Sequence, residues 1–95
     1  MTKLVAICSN SGMIWAEVPA SDLIEAAKAV IKECDDPAAY EYETVNRFEA
    51  DEDGYHFYEV PDDLVIEDGT DQDTIDAVCA CCEAGSVKTT RINPL

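Results

Sequence analysis

Apolar blocks and turn-forming blocks alternate along the chain, and the first two apolar blocks predict a β hairpin. Residues 3–8 and 13–18 are rich in apolar side chains, and the turn-forming residues 9–12 separate them. If this turn is a four-residue loop, Ala6 lies opposite Trp15. We expect this cross-strand pair to belong to the core face of the hairpin.

A second hairpin is predicted in the middle of the chain. Residues 40–50 and 55–60 carry aromatic and β-branched side chains, and they flank the acidic turn 51–54. With a four-residue turn, Phe48 lies opposite Phe57, in the position equivalent to the first cross-strand pair. The second hairpin therefore repeats the plan of the first.

Two segments have the spacing of amphipathic helices. The first has Ser21 as its predicted N-cap. Its apolar stripe is Leu23, Ile24, Ala27, Val30, Ile31 and Cys34. The second begins near Thr70 or Asp71, either of which can cap it, and Gly85 is a natural end for it. Its stripe is Ile75, Val78, Cys79 and Cys82. Residues 86–92 then have the alternation of a last strand.

The predicted order is β-β-α-β-β-α-β. It favours an α+β fold, a single domain with a mainly antiparallel sheet and both helices packed on one face. A chain of 95 residues suffices for one domain with one modest core. Residues 12–19 and 54–61 align at an offset of 42 and share Glu-Val-Pro, and a helical stretch follows in each half. These likenesses are compatible with an internal duplication into halves of about 1–38 and 39–95.

Acidic residues are concentrated in the middle of the chain. Residues 35–83 contain seventeen Asp and Glu and one basic residue, Arg47, so this stretch carries a net charge of −16. Residues 1–34 carry −1 and residues 84–95 carry +2, which gives −15 in total. An excess of one sign of charge destabilises a compact state by self-repulsion, which indicates that these acidic residues have a function at the protein surface. A salt-loving host and simple solubility are alternative explanations, but neither accounts for the segregation.

The composition excludes several classes of protein. An apolar fraction of 47% is too high for a disordered acidic segment. The chain shows no secretory signal and no apolar run of about 18 residues, so we expect a cytoplasmic protein whose five cysteines are thiols. Direct binding to nucleic acid is disfavoured, because the phosphates repel this charge.

Metal binding and catalysis find little support in the residues. Cys79 and Cys82 have a C-x-x-C spacing, but a second ligand pair is missing, so we expect small buried core residues. Residues 49–54 match the first positions of a calcium loop, yet Val60 stands where that loop requires a bidentate Glu. His56 lies among aromatic residues in a predicted strand, and we expect a structural role. No catalytic residue, metal site or cofactor is therefore predicted.

The acidic surface itself is the remaining candidate for function. Two of its residues follow the first helix, where the helix dipole disfavours anions, so charge is placed against local stability. The predicted partner-binding carboxylates are Asp35, Asp36, Glu41, Glu43, Glu49, Asp51, Glu52, Asp53, Asp62, Asp63, Glu67, Asp68, Asp71, Asp73 and Asp76. Tyrosine is enriched at interfaces. The predicted aromatic contacts are Tyr40, Tyr42, Tyr55 and Tyr58. A solvated face without a partner is the alternative.

In size and charge distribution, the chain resembles the small DNA-mimic inhibitors encoded by phages and plasmids, such as anti-CRISPR and antirestriction proteins. The resemblance implies a non-enzymatic inhibitor in the host cytoplasm. Its partner would be a basic nucleic-acid-binding protein, such as a CRISPR effector or a restriction enzyme subunit. The alternative is a small structural or regulatory adaptor. It would bind a protein, or itself, through a sheet edge at residues 86–92 or the first hairpin, or through the tyrosine-bearing second hairpin.

Overall fold

A five-stranded antiparallel sheet lies at the centre of the molecule, in a computed structural model that describes residues 2–19, 22–49 and 52–92. The elements are β1 Thr2–Cys8, β2 Ile14–Pro19, α1 Leu23–Lys32, β3 Tyr40–Val45, β4 Asp53–Pro61, α2 Gln72–Cys79 and β5 Cys82–Arg91. A 3₁₀ turn, Pro37–Ala39, precedes β3. The predicted order β-β-α-β-β-α-β, the antiparallel sheet, the two helices and the single domain are confirmed.

The strand order is β2-β1-β4-β5-β3, so β5 lies inside the sheet. The predicted second hairpin is therefore wrong. β3 pairs with β5, from Tyr40 opposite Arg91 to Val45 opposite Ser86, while β4 pairs with β1 on one side and β5 on the other. A local turn favours pairing of neighbours in the chain. Here the longer partners β1 and β5 hydrogen-bond both edges of β4 instead.

Phe48 and Phe57, the pair predicted to face each other, lie apart. Phe57 is fully buried in β4 and is opposite Ala6 of β1. Phe48 lies in the loop after β3, with its ring edge-on to His56 at 5.0 Å between centroids. Its ring also packs over Gly54, where a side-chain Cβ would come within 2.5 Å of a ring carbon. Phe48 therefore covers a strand and does not extend one.

The first hairpin forms as predicted, but its register differs by one residue. Ala6 lies opposite Ala16, not Trp15, because the register shifts between Ala6 and Ile7, and Ile7 lies opposite Ile14. Trp15 is the extra residue of this irregularity and is 50% exposed. A four-residue turn with regular pairing would have buried it.

The two helices lie on opposite faces of the sheet, which differs from the predicted packing on one face. Leu4 and Ala6 of β1 pack with Val30 of α1 in one cluster, and Val5 and Ile7 pack with α2 in another. Because successive side chains of a strand point to opposite faces, β1 is buried on both sides. The continuous apolar run in β1 is typical of such a strand, and it is the sequence signal for helices on both faces.

Helix ends and cysteines differ from the prediction in detail. Asp22 caps α1 by accepting from the amides of Ile24 at 2.8 Å and Glu25 at 3.4 Å, and the predicted cap Ser21 lies outside the described residues. α2 ends at Cys79, and Cys82 already belongs to β5, so both cysteines are exposed and not part of the core. Gly85 lies within β5. Of the described helices, neither has the length and hydropathy needed to cross a membrane.

Candidate partner-binding surface

The two faces of the sheet differ in charge. On the α1 side, the helix carries both acidic and basic side chains: Glu25 forms an ion pair with Lys28 at 3.3 Å, and Lys32 lies in the last turn. The opposite side, which we call the negative side, is formed by α2, the loop 62–71, the described residues of the loop 46–52 and the outward face of β3. Eleven of the predicted carboxylates lie on it. They are Glu41, Glu43, Glu49, Glu52, Asp62, Asp63, Glu67, Asp68, Asp71, Asp73 and Asp76.

The alternation of β3 places two of these residues. Tyr42 packs against the α1-side cluster, so Glu41 and Glu43 on either side of it point to the negative side. In β5 the same alternation sends Lys88 to the negative side, because its neighbour Val87 belongs to the α1-side cluster. Glu52 ion-pairs with Lys88 at 3.6 Å, which places the end of the loop 46–52 on this side too.

Some predicted carboxylates have local structural partners. Asp36 caps the 3₁₀ turn and Asp71 caps α2. Asp68 accepts hydrogen bonds from the backbone amide and the side-chain hydroxyl of Thr70. Asp76 accepts from Gln72 at 2.9 Å. Hydrogen bonding inside the chain is therefore enough to explain why Asp stands at these four positions, and a partner protein is not needed to explain it.

Asp35 and Asp53 lie away from the negative side. Asp35 is joined to Arg91 and accepts from the Tyr40 hydroxyl at 2.8 Å. The Asp36 amide, the Tyr40 hydroxyl and the Arg91 guanidinium together hold the pKa of the Asp35 carboxyl below its usual value. Asp53 starts β4 and accepts from Asn10 of the first turn. Asp51 lies outside the described residues.

Seven of the eleven carboxylates on the negative side make no hydrogen bond or ion pair with another described residue. They are Glu41, Glu43, Glu49, Asp62, Asp63, Glu67 and Asp73. Most of the basic side chains are already engaged: Lys3 pairs with Glu17, and the pairs of Lys28, Lys88 and Arg91 are given above. Within the described part of the chain, these seven carboxylates therefore have no cation beside them.

The predicted tyrosines do not join the acidic surface as a group. Tyr40 lies under the Arg91 guanidinium, 5.5 Å from its ring centroid. Tyr42 donates to the Pro37 carbonyl at 2.7 Å and lies under Lys28. Tyr55 packs on the α1-side cluster, and only Tyr58 packs on the cluster beneath the negative side. Two of the four tyrosines therefore pack against the other face and Tyr40 contacts Arg91, so only Tyr58 lies beneath the acidic surface.

Burial raises the pKa of the Tyr55 phenol to about 12, from an ordinary 10.0. Below pH 10 this group is neutral in the folded and the unfolded chain, and its contribution to stability is fully present. As the pH rises from 10 towards 12, the unfolded chain ionises first, and that stability is lost. We expect Tyr55→Phe to raise the midpoint of alkaline unfolding, measured by circular dichroism. An unchanged midpoint would show that Tyr55 does not contribute to alkaline unfolding.

One hydrogen-bonded pair could not be predicted from the sequence: His56 Nδ1 and Ser86 Oγ lie 2.8 Å apart. The two residues are cross-strand neighbours of β4 and β5, which could not be known while β5 was placed at an edge. Ser86 is 5% exposed, and the Phe48 ring covers His56, so the bond satisfies a buried hydroxyl within the sheet. Within residues 2–19, 22–49 and 52–92, no three His, Cys, Asp or Glu side chains converge as metal ligands would.

Comparison of this chain with known protein families, curated proteins and solved structures found no match. What the acidic surface does is therefore argued from its geometry and charge.

Proposed function

We propose that this protein is a non-enzymatic inhibitor that presents its negative side to a basic, nucleic-acid-binding surface of a host defence protein, in the manner of anti-CRISPR and antirestriction proteins. One observation carries the proposal. Seven carboxylates on one side of the sheet have no partner among the described residues, while helix α1 on the opposite side carries charges of both signs. Asymmetry of this kind is what a one-sided electrostatic contact requires, and solubility alone does not require it.

The size of the charged side suits a nucleic-acid-binding groove. The molecule is 41 Å long, and a DNA duplex of that length carries about 24 phosphates, at one charge per ~1.7 Å of axis. Eleven carboxylates on one side supply roughly half that number; four of them lie on β3 and α2, and the others lie in the adjoining loops. Binding to Lys and Arg side chains would then exclude nucleic acid from the same groove.

A CRISPR effector is our first choice of target, and a restriction enzyme subunit is the second. The effector holds its heteroduplex and the displaced strand in a positively charged channel, which gives an acidic protein a large complementary surface. The protein would act in the cytoplasm of the host cell, where these partners work.

The proposal is tested by charge reversal at two residues whose carboxylates have no partner among the described residues. Asp62→Lys with Asp63→Lys changes the charge of the negative side by four units without removing a cap or an ion pair. We expect the double variant to lose about tenfold or more of its affinity for a basic nucleic-acid-binding protein captured from lysate of a host that has these defence systems. The measurement is recovery at about 0.1 M salt by affinity capture, read by mass spectrometry.

The matched control carries the same charge change on the opposite side. Glu25→Lys with Glu33→Lys changes one exposed residue within α1 and the residue that follows its last turn. The only ion pair removed among the described residues is the surface pair of Glu25 with Lys28, and such a pair contributes only about 0–1 kcal/mol to stability. We expect this variant to retain most of the binding of the parent protein. Equal losses in the two double variants would mean that net charge matters and the negative side does not.

A second candidate, from a different class, is an adaptor that associates through the exposed Trp15 side chain of the first hairpin. It is favoured by Trp15, which is 50% exposed on the edge strand β2. The other routes predicted for an adaptor are absent, since β5 is an interior strand and the tyrosine-bearing hairpin does not form. An apolar contact at Trp15 would persist from about 0.1 M to about 0.5 M salt, whereas the electrostatic contact weakens as screening shortens.

A further inference from the structure

The outer edge of β3 is open for pairing. β3 is the last strand of the sheet and pairs only with β5. At the start of the strand the Tyr40 amide donates to the Pro37 carbonyl, and from Glu41 to Val45 no backbone hydrogen bond joins the outer edge to another described residue. A strand edge of this kind presents a row of free amide and carbonyl groups. Residues 41–45, at about 3.3 Å each, give roughly 16 Å of such edge.

The edge at the other end of the sheet is protected, which sets β3 apart. β2 has a register irregularity at Trp15, ends at Pro19 and has its Ile14 amide bonded to the Gly69 carbonyl at 2.9 Å. Bulges, proline and a covering loop are the usual means by which proteins block an edge strand. β3 has none of these along its length.

The side chains of β3 determine what this edge accepts. Glu41 and Glu43 point to the negative side, and neither forms an ion pair with a described residue. Lys88 is directly opposite Glu43 in the ladder, but its ammonium pairs with Glu52. A shallow groove of about 370 Å³ lies along the same face, lined by Glu41, Tyr42, Glu43, Lys88 and Thr90. A neighbouring strand at this edge would bring its side chains beside both carboxylates.

Charge selects a basic occupant and disfavours a second copy of this chain. An antiparallel pair of β3 strands centred on Tyr42 would place Glu41 of each copy opposite Glu43 of the other, and like charges in that position are destabilising. A strand with Lys or Arg at alternate positions would place a positive charge beside each of the two carboxylates, which is stabilising.

We propose that the edge of β3 binds an extended, basic segment of the partner protein as a sixth strand, with Lys or Arg at alternate positions beside Glu41 and Glu43. Main-chain hydrogen bonds would supply affinity, and the two carboxylates would supply selectivity. The inference rests on the proposed function for the basic nature of the partner. It adds the recognition mode, which electrostatic mimicry alone does not require.

The test uses a synthetic ten-residue peptide of alternating Lys and Thr and a second peptide of identical sequence whose backbone amides are all N-methylated. The two have the same charge, but only the first can donate main-chain hydrogen bonds. We expect the N-methylated peptide to bind at least about tenfold more weakly, by isothermal titration at about 0.1 M salt. In hydrogen-exchange NMR, we expect the first peptide to protect β3 amides that exchange quickly in the free protein.

Variants locate the contact. Glu41→Lys with Glu43→Lys should weaken binding of the unmethylated peptide by about tenfold or more, while Glu25→Lys with Glu33→Lys, which changes the charge equally on the opposite side, should weaken it much less. Equal binding of the two peptides, or unchanged exchange of the β3 amides on binding, would overturn strand addition. The exchange measurement uses the unmodified protein, so it stands even if a variant fails to fold.

The outcomes also separate this inference from the proposed function. If the peptide does not add to β3 but the protein still displaces nucleic acid from a basic partner, mimicry stands and only the edge mode is rejected. If the peptide adds to β3 but nucleic acid is not displaced, the edge is an interaction site and mimicry is rejected.

Discussion

Replacing Phe57 with alanine is expected to lower the free energy of unfolding by about 3–5 kcal/mol, the usual cost of removing a buried aromatic ring. Phe57 is fully buried in the central strand β4, in the cluster that joins the sheet to α1. The total free energy of unfolding of a small domain is about 5–15 kcal/mol, so this substitution removes a large part of the stability. Chemical denaturation at pH 7, followed by circular dichroism, measures it.

Phe48→Ala is the matched control, since the side chain removed is the same. Phe48 is only partly buried and rests on His56 from a loop, so its loss should cost clearly less than that of Phe57. Equal costs for the two variants would favour a β3–β4 hairpin with the two rings facing each other, and would contradict the strand order described above.

The second large effect is expected at Gly54, where Gly54→Ala should destabilise the protein by about 3 kcal/mol, at the upper end for overpacking. A Cβ at this position would lie 2.1 Å from the Val87 carbonyl oxygen and 2.5 Å from a ring carbon of Phe48. The carbonyl belongs to the neighbouring strand β5, so it cannot move away without disturbing the β4–β5 ladder. The variant should also expose Phe48, because its ring must leave the strand.

Gly12→Ala is the control for a glycine without close neighbours. No atom lies within 4 Å of its Cβ position, but its φ of 71° is in the left-handed region, which costs other residues about 1–2 kcal/mol. The free energy of unfolding should therefore fall less for Gly12→Ala than for Gly54→Ala. The reverse order would mean that the loop 46–52 does not pack on β4.

Local features of the fold were predictable from the sequence because they depend on neighbouring residues. The helix stripe around Val30, the cap at Asp71 and the first turn all arise within a few positions of the chain. Strand pairing was less predictable. β4 and β5 pair across a segment that contains a helix, and nothing in the local pattern distinguishes this arrangement from a β3–β4 hairpin.

The composition of the acidic surface was predictable, and its arrangement was not. Exposed Asp and Glu are the rule, so the carboxylates could be named from the sequence. Which of these carboxylates form ion pairs or hydrogen bonds within the chain depends on residues that are distant in sequence. Asp35 pairs with Arg91, 56 positions away, while Glu41, a few residues beyond Asp35, has no partner in the described part of the chain. The separation of charge between the two faces likewise required the alternation of each strand to be assigned to a face.

Displacement of nucleic acid tests the central claim most directly. A fluorescently labelled DNA or RNA is bound to the partner captured by this protein, the protein is added, and the anisotropy of the label is followed at about 0.1 M and about 0.5 M salt. We expect the label to be released at the lower salt, with the protein's own binding to the partner falling steeply at the higher salt. A ternary complex that retains the nucleic acid, or binding of the protein that does not change with salt, would contradict mimicry.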